Sequence, residues 1–348
     1  MAPEILRVEE LKVHFPLRSS FLQGLSGAVK KVVRAVDGIS FSIGEGEIFA
    51  LVGESGCGKT TTGKAVLDLL EPDYVSGKIE FLGQDLLLNN LRQHNSLRQH
   101  NSPRQRATAT EVKQFRRRAQ MIFQDPYQSL NPRETVYDIV SEPLAIHRLA
   151  KSEADRRERV AASLENAGLK PTLDYLDRYP HELSGGQRQR VAIAAALILE
   201  PLFLVADEPV SMLDVSVRAD ILKLMVSLRD RYRISYLFIT HDLALSWVLA
   251  DHAAIMYLGK IVEVGPAEAV IQKPRHPYSQ ALVEVMPRSE PRAGRARVIL
   301  RGEAPNPVQI PSGCRFHSRC PIPLPRCKEE SPALEELESG RRAACWRL

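Results

Sequence analysis

The sequence predicts an α/β protein with a largely parallel sheet, and three observations carry that prediction. Short apolar runs fall at residues 39–43, 47–53, 78–82, 119–124, 202–207, 234–240 and 253–257, with helical stretches between several of them. Strands that alternate with helices build a sheet covered on both faces. Between residues 126 and 200 no strand-like run occurs, and windows such as 153–167 and 187–199 have helical periodicity. That stretch reads as a helical subdomain inserted into the sheet domain. Finally, Gly44-Glu45-Gly46 joins the runs 39–43 and 47–53, which therefore read as a hairpin and add an antiparallel β portion.

A chain of 348 residues, 44% of them hydrophobic, can bury one large core and a smaller appended module. The expected division is a main domain over residues 1–287 and a C-terminal extension over 288–348, reached through a Pro- and Arg-rich linker after Pro287. That extension holds 12 Lys plus Arg against 7 Asp plus Glu, so it accounts for the whole net charge of +5. A basic surface is thus an accessory property, and no nucleic-acid partner is expected. No apolar run approaches the roughly 20 residues that span a bilayer. The opening MAPEILRVEE lacks the charged-then-apolar layout of a secretion signal, so the chain is expected in the cytosol.

Cys57 stands alone, whereas Cys314, Cys320, Cys327 and Cys345 are spaced C-x5-C-x6-C-x17-C. In a secreted chain four such cysteines would suggest disulfides, and in a cytosolic chain a metal or iron-sulfur site. The C-x2-C knuckles common in zinc sites are missing. Residues 91–96 and 97–102 both read Leu-Arg-Gln-His-Asn-Ser, a polar duplication that reads as a surface-loop expansion.

The strongest local signal is Gly53-Glu54-Ser55-Gly56-Cys57-Gly58-Lys59-Thr60, which follows an apolar strand and opens a helix. Glycines let backbone N–H groups turn inward around phosphate oxygens, Lys59 can reach the outer phosphates, and Thr60 can ligate magnesium. Cys57 occupies a variable position of this loop and reads as a bystander, not a nucleophile. A second apolar strand ends in Asp207-Glu208, suited to bring one carboxylate to magnesium and the other to an attacking water. Between them, Leu183-Ser184-Gly185-Gly186-Gln187 places a serine N-cap and two glycines at a helix start, a second phosphate-binding surface.

With these three motifs in this order, the sequence resembles the ABC ATPase family over essentially the whole chain. The resemblance implies a P-loop NTPase core with ATP and Mg2+ as cofactors. It also implies a second ATPase domain, identical or paralogous, whose Ser-Gly-Gly-Gln segment completes the opposite site; here that segment is Ser184, Gly185, Gly186 and Gln187. Thr61 joins the nucleotide-binding positions, and magnesium falls to Thr60, Gln124 and Asp207. Glu208 matches the general base, Gln124 the glutamine that senses magnesium and connects to the membrane subunit, and His241 the switch histidine at the γ-phosphate. Asp214 matches the loop that communicates across the dimer. Phe15 is the aromatic expected to stack on adenine, with His14 the alternative. Ala195 departs from the pattern, standing where the family usually has Arg; hydrolysis is expected to survive because no phosphate ligand is removed.

Two longer stretches resemble the peptide-importer branch: Phe123-Gln124-Asp125-Pro126-Tyr127-Gln128-Ser129-Leu130-Asn131-Pro132-Arg133 and Val205-Ala206-Asp207-Glu208-Pro209-Val210-Ser211-Met212-Leu213-Asp214-Val215-Ser216. Pro311-Ser312-Gly313-Cys314-Arg315-Phe316-His317-Ser318-Arg319-Cys320-Pro321 resembles the C-terminal extension of oligopeptide and dipeptide transporter ATPases. There the four cysteines would hold a 4Fe-4S cluster, with zinc or free thiols the alternatives. The implied partners are two transmembrane permeases and, indirectly, an extracytoplasmic solute-binding protein, with the chain peripheral on the cytoplasmic membrane face. Oligosaccharides or nickel are alternative cargoes of the branch. A soluble ABC protein acting on ribosomes or DNA is disfavoured by the single phosphate loop and the lack of sustained heptads.

Overall fold

The computed structural model describes residues 3–17, 32–86, 109–286, 302 and 305–348. The duplication at 91–102, most of the loop after Leu17 and the linker after Pro287 lie outside them. In chain order the strands are β1 (Glu4–Pro16), β2 (Val32–Gly44), β3 (Ile48–Val52), β4 (Val75–Phe81), β5 (Gln84–Asp85), β6 (Ala119–Ile122), β7 (Phe203–Asp207), β8 (Ser235–Thr240), β9 (His252–Tyr257), β10 (Lys260–Pro266), β11 (Glu335–Glu336) and β12 (Arg342–Ala343). Each apolar run read from the sequence coincides with one of these, and both parallel and antiparallel pairing are present.

Chain contacts separate two compact units. The first comprises residues 1–44, 48–106 and 239–348. Its antiparallel sheet runs β2-β1-β4-β5. β1 pairs with β2 over most of its length, as in Leu6 with Ile43 and Val13 with Val36. Burial alternates along much of both strands, with slips at the register shifts, so one face packs inward and the other meets solvent. A second group of strands in this unit sets β3 parallel to β9, then β10 antiparallel to β9, followed by β12 and β11. Ala50, Val52, Ile255, Tyr257, Val262, Tyr278 and Phe316 belong to one core around these strands. Every β3 residue is buried, and such side chains each favour the folded state by about 1.5–3 kcal/mol if they are of Val or Ile size.

The expected hairpin across Gly44-Glu45-Gly46 does not form: β2 pairs with β1, and β3 pairs with β9. β2 is apolar on one face only, whereas β3 is apolar on both and is therefore stable only with cover on both faces. A two-strand ribbon could not have satisfied both patterns.

The second unit comprises residues 45–47 and 107–238. β6 lies parallel to β7, with Met121 beside Val205, and β8 follows on the other side of β7. From residue 126 to 200 the chain is helical between its turns, with the longest helices at Val136–His147, Glu153–Asn166 and Gly185–Leu197. Their starts are set locally. Thr135 and Asp138 form a reciprocal capping box, and the Ser152 hydroxyl accepts from the Asp155 N–H; each such cap stabilises by about 1 kcal/mol. Among the described residues no helix is long and apolar enough to cross a membrane.

Candidate active site

In the first unit, β3 delivers the chain into the turn at Gly53 and the helix Lys59–Val66 carries it away. Two glycines are required by shape. A Cβ on Gly53 would lie 2.2 Å from the Met256 carbonyl oxygen, and one on Gly58 would lie 2.2 Å from that of Ala35, where φ is also +111°. The Lys59 ammonium is buried and donates to the carbonyls of Gly53 at 2.8 Å and Glu54 at 3.0 Å, so it bridges the loop on which it sits. The loop crest, Ser55 and Gly56, is exposed, while Thr60 and Thr61 at the helix start are half-buried. A glycine turn, a buried cation and a helix N-terminus together make an anion cradle.

Cys57 is buried, and burial pushes its thiol up despite the Lys59 ammonium 3.9 Å from its sulfur. It is not poised as a thiolate. Phe15, near the end of β1, is half-buried and meets the Tyr74 ring edge-on at 5.4 Å. His14 is engaged with the Asp37 carboxylate at 2.8 Å. His241 follows β8 and is exposed; its neighbour Asp242 caps the next helix by accepting from the Ala244 N–H at 2.9 Å.

The remaining residues predicted for the nucleotide site lie in the second unit. Asp207 ends β7 with 2% exposure. Glu208 follows with φ +44°, a backbone state non-glycine residues seldom adopt, and its carbonyl accepts from both the N–H and hydroxyl of Ser211 at 3.1 Å. The Gln124 amide, just beyond β6, donates to the Glu208 carboxylate at 3.3 Å, so two residues 84 positions apart in sequence meet. Ser184 caps the helix Gly185–Leu197 reciprocally with Gln187. A Cβ on Gly186 would lie 2.5 Å from Val217, so this helix and Val215–Tyr232 approach as closely as glycine allows. Asp214, at the N-terminus of the latter helix, is exposed. Ala195 is half-buried within the capped helix.

Sequence reasoning missed two arginines that flank the first cysteines. Arg315 pairs with Asp37 and donates to the Leu258 carbonyl, and Arg319 pairs with Glu54 of the phosphate loop. Their only sequence signal was position beside Cys314 and Cys320. The four clustered cysteines form no disulfide, and each is partly buried. Cys314 and Cys327 are joined through a backbone hydrogen bond of 2.8 Å, and the thiols lie close enough to act electrostatically on one another. Burial pushes the Cys314 thiol up to about 11. Among the described residues no three His, Cys, Asp or Glu side chains converge tightly enough to hold a single metal ion.

Comparison with known proteins settles the family. The ABC transporter family model matches residues 36–211, and the model for the C-terminal region of oligopeptide/dipeptide transporters matches residues 262–327. The chain belongs to the ABC transporter ATP-binding subunits. This subunit is 42% identical to the oligopeptide transport ATP-binding protein AppF of Bacillus subtilis, over 98% of this chain and 96% of that protein. It is 40% identical to the dipeptide transport ATP-binding protein DppF of Haemophilus influenzae, over 99% and 97%. Among solved structures, CbiO1 of Clostridium perfringens, part of the ABC transporter complex CbiONQ, is 27% identical. It superposes with a TM-score of 0.59 over 78% of this chain and 92% of that one. The ATP-binding cassette MJ0796 in a dimeric post-hydrolysis state has the same fold, with a TM-score of 0.59 over 75% and 98%. The chain is thus an ATPase subunit that energises an ABC importer.

Proposed function

We propose that this subunit hydrolyses ATP to drive import of oligopeptides or dipeptides, from the cytoplasmic face of the membrane. In that assembly it serves two permeases and a second ATPase subunit, with an extracytoplasmic solute-binding protein supplying cargo. The observation that carries the substrate class is the match of residues 262–327 to the oligopeptide/dipeptide transporter C-terminal region, joined to near-full-length likeness to peptide-transport ATPases.

The residues divide the chemistry as follows. Lys59 exchanges its carbonyl partners for phosphate oxygens, within the N–H cradle of Gly53, Ser55, Gly56, Cys57, Gly58, Thr60 and Thr61. Phe15 stacks on adenine. Thr60, through its hydroxyl, Asp207, through its buried carboxylate, and Gln124 are the oxygen donors that would hold Mg2+, which would supply charge neutralisation at the phosphates. Glu208, already held by Gln124, accepts the proton of the attacking water, and His241 contacts the γ-phosphate. Ser184, Gly185, Gly186 and Gln187 act on the partner's nucleotide, and Asp214 reports across the dimer.

We infer that the four cysteines serve an iron-sulfur centre, the reading their number and the likeness of residues 262–327 to the oligopeptide/dipeptide transporter C-terminal region support. Four thiolates are the ligand set that would hold a 4Fe-4S cluster, which would supply one-electron redox chemistry. Cys314, Cys320, Cys327 and Cys345 are half-buried and form no disulfide, which supports that reading. Anaerobically purified protein should be brown, and Cys314→Ser should bleach it; colourless wild-type protein would discard the cluster.

Glu208→Gln in the assembled transporter tests the base. ATP binding should persist while turnover falls by about a hundredfold or more. Retained turnover would remove Glu208 from that role.

A further inference from the structure

The phosphate loop has a partner that nucleotide binding does not use. Both oxygens of the Glu54 carboxylate are taken by Arg319: Nη1 donates to Oε2 at 2.9 Å and Nη2 to Oε1 at 3.1 Å. The arginine side chain is 8% exposed and the glutamate 27%, so the pair is mostly shielded from water. On its backbone side, Glu54 donates its N–H to the Tyr278 hydroxyl at 3.0 Å.

Arg319 is itself fixed. Its N–H donates to the Phe316 carbonyl at 3.0 Å, and its guanidinium lies 5.8 Å from the centre of the Tyr257 ring, whose hydroxyl accepts from Nη1 at 3.5 Å. Tyr257, Tyr278 and Phe316 pack on one another with ring centres 4.7–5.4 Å apart, and all three are fully buried. The cysteine-bearing turn therefore stands on an aromatic base and reaches the loop through one arginine. Pro305, Asn306 and Pro307 approach the same loop, sharing with residues 54–57 a pocket of about 370 Å3.

We propose that Arg319 is a positioning residue for nucleotide binding. By gripping Glu54 it holds the backbone of residues 53–58 in its phosphate-receptive shape, so that order in the cysteine-bearing segment sets the affinity for ATP. Bidentate arginine–carboxylate bonds are among the stronger and more directional contacts available to a loop. The inference rests on the reading that Gly53–Thr60 holds the phosphates of ATP.

Glu54→Gln gives the sharpest test, because two accounts predict opposite signs. If Glu54 were merely a charge near the phosphates, its neutralisation would relieve repulsion and tighten ATP. If it is the handle by which the loop is held, the same change weakens ATP by about fivefold. Measured on the assembled transporter with MgATP, Glu54→Gln and Arg319→Gln should each raise Kd and KM by about fivefold while kcat changes less than about twofold. Arg319→Lys, which cannot make the bidentate contact, should fall between. The double variant should bind no worse than Arg319→Gln alone, because both changes break one link. Unchanged or tighter ATP binding by Glu54→Gln, or additive losses in the double variant, would overturn the proposal. Should Arg319→Gln fail to fold, Glu54→Gln decides alone, since it leaves the cysteine-bearing segment intact. Failure of the wild type itself to bind ATP would instead remove the nucleotide reading.

Discussion

Residues 53–60 are shaped chiefly around the main chain, with the Arg319 grip on Glu54 added from outside: glycines packed against the carbonyls of Met256 and Ala35, a lysine bonded to two loop carbonyls, and a helix that starts at once. Residues 305–348 contain only two-residue strands and short turns of helix, and keep their shape through side chains. Arg315 and Arg319 fasten them to Asp37 and Glu54, Phe316 is buried against Tyr257 and Tyr278, and Arg341 donates to the carbonyls of Ala269 and Lys273. The first design leaves no room for a Cβ at Gly53 or Gly58. The second is distributed, so each contact can be weakened separately.

That contrast can be broken most severely at Gly58. Gly58→Ala forces a Cβ into the Ala35 carbonyl at positive φ, and MgATP affinity measured by titration calorimetry should fall by about a hundredfold or more. Affinity near that of the wild type would show that the loop can relax, contrary to a main-chain design. Phe316→Ala removes a ring 1% exposed and should lower unfolding free energy by about 3–5 kcal/mol in denaturant titration. A loss under about 1 kcal/mol would mean that the aromatic base does not anchor the segment.

His276 sharpens the comparison through pH. It touches Phe316, is buried, and accepts from the Tyr278 N–H through Nδ1; burial drives its pKa from 6.5 down to about 3. The unfolded chain takes up this proton first, so the stability contribution is full above about pH 6.5 and is lost as pH falls toward about 3. Glu263, whose carboxylate accepts from the N–H groups of Arg275 and His276, is raised by burial and works in the opposite sense. The His276→Asn variant should therefore lose the acid-side slope of about 1.4 kcal/mol per pH unit relative to the wild type, read from unfolding at several pH values. Equal slopes would place His276 outside the linkage. At the small end, Arg326 stacks 4.1 Å over the Trp346 ring; Arg326→Ala should cost about 1 kcal/mol and leave ATP affinity unchanged.

The same contrast explains what was legible in the sequence. The phosphate loop, the Ser184 cap and the Asp207-Glu208 strand end are contiguous motifs, and their local shapes follow from neighbours in the chain. β1 escaped notice because its alternation slips: the register shifts between Val8 and Leu11, with Glu10 at φ +47°, which hides the period-two pattern. The turn at Gly44–Gly46 read as a hairpin because turn residues say where a chain reverses and not which strand it then pairs with. The contacts of Arg319 with Glu54 and of Gln124 with Glu208 span 265 and 84 positions, and no spacing rule reaches that far.

The central claim is that ATP hydrolysis here is coupled to peptide import. Its most direct test is ATP turnover by the complete transporter in proteoliposomes, with its binding protein loaded with peptide, oligosaccharide or nickel, or left empty. Peptide-loaded binding protein should stimulate turnover, and Glu208→Gln should abolish the stimulation. Stimulation by sugar or nickel and not by peptide, or turnover indifferent to all cargo, would contradict it.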